Sequence, residues 1–225
     1  MTQEETVFRT IEKAILEQRL PPGTRLREVQ LAAIFDVKRG MIRKVLSHLT
    51  NRKLVDHKPH SGAQVSCPSL EDAKDLFATR QLLENSVIKT LCQKLTKEQV
   101  MALRDHIKQE KLAYLSSDTQ KGVRLSAGFH KLLAEFAGNQ IIAEFLNDII
   151  NRTPLVMLDQ SALHLSGQPA KGCLNHDHSE IINALELNNY KKAAKLMRQH
   201  LCELEYMFNV KTQENSLDLS EILTQ

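Results

Sequence analysis

Leu20-Pro21-Pro22-Gly23-Thr24-Arg25-Leu26, followed by Leu31-Ala32-Ala33-Ile34-Phe35-Asp36-Val37-Lys38-Arg39-Gly40-Met41-Ile42-Arg43, is the stretch whose reading decides the fold. Pro21-Pro22-Gly23 ends any helix that precedes it, because neither proline can donate the next helical bond. Upstream, Val7, Ile11, Ala14 and Ile15 recur at helical spacing and predict an amphipathic helix over residues 4–19. Downstream, residues 27–35 fit a short helix, Asp36 and Val37 a tight turn, and residues 38–51 a third helix. In that helix Met41, Ile42, Val45, Leu46 and Leu49 fall on the inner face, with Lys38, Arg39, Arg43 and Lys44 outward. Leu54-Val55 and Ala63-Gln64-Val65 read as short strands joined through Pro59-His60-Ser61-Gly62. Helix, short helix, turn, basic helix and hairpin together are the layout of a winged helix-turn-helix.

The distribution of charge supports that layout. Net charge is only +3, but residues 1–67 hold 12 Lys and Arg against 7 Asp and Glu, a net of +5. Residues 68–225 hold 18 against 20, a net of −2. Between Val37 and Lys58 stand seven basic residues and a single acid, Asp56. A basic module joined to a neutral-to-acidic one points to a polyanionic partner for the first.

Pro68 marks the expected boundary between a domain of residues 1–67 and one of residues 68–225. Beyond it almost everything reads helical. Ser69 with Asp72 forms a capping box, opening a helix that carries Leu76, Phe77, Arg80, Leu83 and Val87. Thr96 with Gln99 opens another, running to about Tyr114. Helices are expected over 121–136, stopped near Gly138-Asn139, and over 140–151, ended before Pro154. A shorter one is expected over 155–164, a loop at Gly167-Gln168-Pro169, and two last helices over 176–187 and 189–211. No Val/Ile/Thr alternation calls for a sheet, so the fold class is mainly α: a winged helix-turn-helix, then an all-α bundle of six or seven helices.

No apolar run is long enough to span a membrane, and the acidic start Met1-Thr2-Gln3-Glu4-Glu5 has no apolar core of a secretory signal. Cys67, Cys92, Cys173 and Cys202 are scattered, which suits reduced thiols in a cytoplasm.

These residues resemble a known family. Pro22-Gly23, Leu31-Ala32, Asp36-Val37-Lys38-Arg39, Ile42-Arg43, Leu46, Leu49 and Ser61-Gly62-Ala63-Gln64-Val65 resemble the DNA-binding domain of GntR-type bacterial transcription regulators. The remainder resembles the FCD effector domain of the FadR subgroup. Its opening appears as Leu76-Phe77-Ala78-Thr79-Arg80-Gln81-Leu82-Leu83-Glu84, and its middle as Phe129-His130 through Gly138-Asn139. Its close appears as His178, Ile181-Ile182-Asn183-Ala184-Leu185 and Ala194 through His200-Leu201. The resemblance implies a homodimeric repressor in the cytoplasm that binds a palindromic operator and senses a small metabolite, an organic acid by family habit. Two departures stand out: Lys38 replaces the family's Ser before the recognition-helix Arg, and Gly40-Met41 replaces its Thr-Pro.

On a recognition helix, Arg39 and Arg43 lie four apart on one face, and each can grip guanine O6 and N7 together. Lys38 and Lys44 flank them as phosphate contacts, with Arg52 and Lys53 as more distant ones. His60, Ser61 and Gly62 at the wing tip can reach the minor groove or its backbone.

For the effector domain, the resemblance implies a divalent metal held by an Asp and three His. The histidines match as His130, His178 and His200, but the position four before His130 is Ser126. Three neutral imidazoles can still bind Zn²⁺ or Ni²⁺, leaving open positions for water or an effector carboxylate; a metal-free polar pocket is the alternative. Ser126 and Arg80 are thus candidate effector-binding residues, Arg80 either clamping a carboxylate or forming an ion pair with Glu84. Arg124 and Arg152 are candidates of the same kind. Cys173, His176 and His178 form a C-x-x-H-x-H cluster matching no common closed zinc pattern. A metal-dependent all-α hydrolase is the competing reading, prompted by His176-Asp177. It lacks a late Asp other than Asp218 in a polar tail, and no nucleophile–base pairing is visible, so the chain is not expected to be an enzyme.

Overall fold

The computed structural model describes residues 2–17, 19–58, 62–156 and 178–214. Two compact units are present: residues 1–68 together with the chain from Asn151 to the end of its helix, and residues 69–150 with the later helices.

In the first unit, α1 (Gln3–Leu16) buries Val7, Ile11, Ala14 and Ile15, as their spacing predicts. Gly23 then takes φ +79°, a conformation open to glycine without a Cβ clash, and reverses the chain. α2 (Glu28–Phe35) ends at Asp36, which adopts the left-handed conformation at φ +50°; Asp tolerates it better than most residues. α3 (Arg39–Asn51) follows with Lys38 as its cap, burying Ile42, Val45, Leu46 and Leu49. β1 (Val55–Lys58) and β2 (Gly62–Val65) pair antiparallel, Val55 opposite Val65 and Lys58 opposite Gly62. Thr24–Leu26 adds a third line to this hairpin: Arg25 bridges Gln64, Leu26 N–H donates to Ala63 and Val65 N–H to Thr24. The turn before α2 is thereby anchored to the wing.

The second unit is helical throughout its described residues. α4 (Leu70–Lys94) opens with the capping box, Ser69 N–H to Asp72 at 2.9 Å and Asp72 N–H to Ser69 Oγ at 3.1 Å. α5 (Lys97–Leu115) opens with the same device, Thr96 with Gln99. α6 (Thr119–Ala137) stops at Gly138, which takes φ +73°. α7 (Gln140–Val156) does not end before Pro154, as the proline suggests it should, but runs through it. From Asn151 onward this helix belongs to the first unit, where Thr153 is buried and Leu155 joins the core of Val7, Ile11 and Ile15, and that packing offsets the one backbone bond the proline removes. α8 (His178–Glu186) and α9 (Tyr190–Glu214) complete the bundle. α9 packs along α4 and α6 against α5, around Phe77, Ile88, Leu91, Leu103, Phe129, Leu133, Ile182 and Leu201. The helix expected over 155–164 and the loop after it lie largely outside the described residues. No described helix is long and apolar enough to cross a membrane.

Candidate functional site

Lys38, Arg39, Arg43 and Lys44 are all exposed along the outer side of α3, opposite the buried Ile42, Val45 and Leu46. Arg43 is not isolated: its Nε donates to Glu28 on α2, at 2.9 Å to Oε2 and 3.1 Å to Oε1. Gly62 is exposed at φ +74°, whereas His60 and Ser61 lie outside the described residues. Arg52, expected as a distant phosphate contact, also makes contacts within its own unit. Its Nη1 donates to the buried Glu12 at 2.7 Å, and its guanidinium covers the Phe8 ring 5.2 Å from the centroid, tying α3 to α1. Lys53 remains exposed just past the end of α3.

In the second unit three buried imidazoles meet. His130 comes from α6, His178 from the first position of α8 and His200 from α9. His200 Nε2 lies 3.1 Å from His130 Nε2 and 3.3 Å from His178 Nε2. Phe129 stacks on the His178 ring at 4.1 Å between centroids and shields it from solvent. Behind two of the rings stand carboxylates: Glu84 Oε2 is 2.5 Å from His130 Nδ1, and Glu110 Oε2 is 2.9 Å from His178 Nδ1. Arg80 Nε in turn donates to Glu84 Oε1 at 2.8 Å, with both side chains only 2% exposed. Of the two roles open to Arg80, the ion pair with Glu84 is formed. Ser126 lies one turn before His130 on α6, half-buried.

The electrostatics follow from this chain of contacts. Burial pushes the Glu84 carboxyl up, but the His130 and Arg80 charges and hydrogen bonds outweigh it and hold it down at about 2. Burial pushes His130 down to about 4, aided by Arg80 and opposed by Glu84. At neutral pH Glu84 is therefore ionised and can only accept, so the neutral His130 donates from Nδ1 and presents a lone pair at Nε2. Glu110 Oε2 stands at Nδ1 of His178 in the same arrangement, which turns the Nε2 of that ring toward His200.

Glu110 was not singled out by the sequence, although it falls on the buried stripe of Leu103, Ile107 and Ala113 on α5; a lone acid on an apolar stripe was the available signal. Glu28 carried no comparable signal. Cys173, His176, Asp177 and Asp218 lie outside the described residues.

A winged helix-turn-helix with a basic outer helix, followed in the chain by a helical bundle with convergent imidazoles, defines a DNA-binding regulator with a sensing domain. The gntR family of bacterial regulatory proteins matches residues 3–65 and the FCD domain residues 75–202, and the chain belongs to this family of FCD-containing GntR transcription regulators. It is similar to the HTH-type transcriptional repressor RspR of Escherichia coli (strain K12), at 25% identity over 96% of this chain and 92% of that protein. It is likewise similar to the HTH-type transcriptional regulator LutR of Bacillus subtilis (strain 168), at 28% identity over 87% of this chain and 96% of that one. Among solved structures, a GntR regulator from Rhodococcus sp. RHA1 shares the fold at TM-score 0.78 and 24% identity, covering 93% of this chain and 98% of its own. E. coli McbR/YncC does so at 0.80 and 14%, covering 94% and 99%. RspR, LutR and the Rhodococcus protein are named as regulators of transcription, none of them as a hydrolase.

Proposed function

We propose that this regulator is a cytoplasmic homodimeric repressor that holds a divalent metal on His130, His178 and His200 and leaves a palindromic operator when an organic acid binds there. The observation that carries the sensing site is the convergence of three Nε2 atoms. A tetrahedral Zn²⁺ with Zn–N near 2.0–2.1 Å separates its ligand nitrogens by about 3.3 Å. Two of the spacings here, 3.1 and 3.3 Å, match that value, and all three ligand atoms lie within 4.8 Å of one another. With Nδ1 of His130 and of His178 each facing a carboxylate, both Nε2 atoms converge on Nε2 of His200. A cation satisfies all three.

A bound metal would supply Lewis acidity and open coordination positions for a carboxylate. Glu84 and Glu110 fix the imidazole tautomers and orient the rings, and Arg80 holds Glu84 in place. Phe129 keeps water off one side of His178. With no carboxylate in the inner set, the site favours imidazole-preferring Zn²⁺ or Ni²⁺ over Mg²⁺ or Mn²⁺. An effector that binds better to the operator-free state lowers operator affinity by the difference of its two binding energies. Arg39 and Arg43 are the base-reading side chains, Lys38 and Lys44 the phosphate contacts, and His60, Ser61 and Gly62 the wing tip on DNA. Two recognition helices on a palindrome require two copies of the chain.

The test is metal content by mass spectrometry of protein purified without an affinity tag, beside His178→Ala. Near-stoichiometric metal that the variant loses is the expected result. No metal in either protein, even after incubation with Zn²⁺ or Ni²⁺, overturns the metal site and turns the effector search to metal-free ligands.

A further inference from the structure

Arg39 and Arg43 sit one turn apart on the same exposed side of α3, yet their surroundings differ. Arg39 has no carboxylate partner among the described residues, whereas Arg43 is held through Nε by both oxygens of Glu28. A guanidinium carries five N–H groups, and the edge that fits guanine O6 and N7 can be the one formed by the two terminal nitrogens. A carboxylate that occupies Nε leaves this edge available. Among the described residues Nη1 and Nη2 of Arg43 make no hydrogen bond. The pair spans the two helices of the helix-turn-helix, since Glu28 is the first residue of α2 and only 27% exposed, while Arg43 is 67% exposed. An ion pair this exposed contributes little to stability. It does restrict a long side chain that otherwise explores many rotamers, and restricting it before binding reduces the entropy lost on contact.

We infer that Glu28 is a positioning residue for sequence reading: by holding Arg43 at Nε it aims the terminal guanidinium edge at one guanine in each operator half-site. The inference rests on the reading of Arg43 as a base contact. It gives the two arginines unequal parts. Arg43 is the preset reader, and Arg39, unheld, makes a more adaptable contact. Removing Glu28 also removes a negative charge from the DNA-facing helices, so non-specific affinity should hold or rise while discrimination falls.

The experiment selects binding sites for the full-length protein from a randomised duplex library. It then measures affinity for the selected duplex and for its single-base variants, using wild type, Glu28→Gln, Glu28→Ala, Arg43→Ala and the double variant Glu28→Ala/Arg43→Ala. Arg43→Ala should erase the preference for guanine at one position per half-site, a loss of roughly 5- to 150-fold. Glu28→Ala should weaken the preference at that same position about tenfold, with Glu28→Gln between it and wild type. Affinity for a random duplex should not fall, and the double variant should discriminate no worse than Arg43→Ala. Unchanged far-ultraviolet dichroism and melting temperature establish that the variants are folded. Should Glu28→Ala misfold, Glu28→Gln alone carries the test, since it keeps the side chain's size but not its charge. An undiminished preference in a folded Glu28 variant overturns the inference. So does a loss at a different base pair that persists in the Arg43→Ala background, which would make Glu28 a base contact itself. An undiminished preference in Arg43→Ala removes Arg43 from base reading, and with it the basis for Glu28.

Discussion

His130, His178 and His200 come from three different helices, and the first two enter the cluster with their rings held from behind. Glu84 and Glu110 hold two of the rings at Nδ1, and Phe129 lies flat against His178. This support was built for three imidazoles and not for a carboxylate, because the position one turn before His130 is Ser126. A hydroxyl offers neither charge nor strong donation to a cation. Ser126→Asp is therefore expected to raise affinity for a hard cation such as Mn²⁺ by about tenfold or more, since ligand charge tunes such sites. Competition against a chromophoric chelator reads this out, and an unchanged Mn²⁺ affinity would show that residue 126 does not reach the site. On the DNA side, Arg52 shows what composition leaves out at this scale. It counts toward the basic run, and its guanidinium also pairs with Glu12 and covers the Phe8 ring.

At the level of elements, α6 matters most, because it carries both Ser126 and His130. Its position is set by close approach to α5: a Cβ on Gly128 would lie 2.8 Å from His106 Cε1, and one on Gly122 would lie 2.6 Å from the Tyr114 ring. The His106 ring cannot readily withdraw, because its Nε2 is bonded to the Leu125 carbonyl at 2.7 Å. Gly128→Ala must then shift α6, two residues from His130, at a cost of about 1–3 kcal/mol as an overpacked contact. Urea unfolding measures this cost, and metal affinity should fall with it. If stability is unaltered, the ring moves freely and the α5–α6 contact does not place the histidine. The capping boxes on α4 and α5 were legible because they are local, two side chains three residues apart. The passage of α7 through Pro154 was not, since burial of Thr153 and Leu155 is a tertiary fact.

For the whole molecule, the buried His130–Glu84 pair sets how stability responds to acid. His130 has an ordinary value of 6.5 and sits at about 4 in the fold, so between those values the unfolded chain binds a proton that the folded chain refuses. Stability of the metal-free protein should fall as pH drops from 6.5 to 4. Glu84, ordinarily 4.5 and held at about 2, adds a loss in the same direction at lower pH. Denaturant midpoints measured along this range should decrease steadily toward acid. A flat profile from pH 6.5 to 4 would mean that His130 is protonated in the folded state. Protons and metal compete for the same Nε2 atoms, so metal release should accompany the loss.

The chain by itself determined the order and type of its elements. Proline pairs, capping boxes and apolar spacing act over a few residues, where backbone geometry leaves little choice. It also marked the outward basic residues of α3 and the three histidines as residues worth following. What the tertiary structure alone decided were the partners. Glu28 reaches Arg43 across a turn, Glu12 takes Arg52, Glu110 arrives from another helix to hold His178, and Thr24–Leu26 completes the wing. Each of these joins residues on different elements. Periodicity reports which face of a helix is buried, but the neighbour that face meets is chosen by packing, where the free energy of burying a charge beside its counter-charge can first be settled.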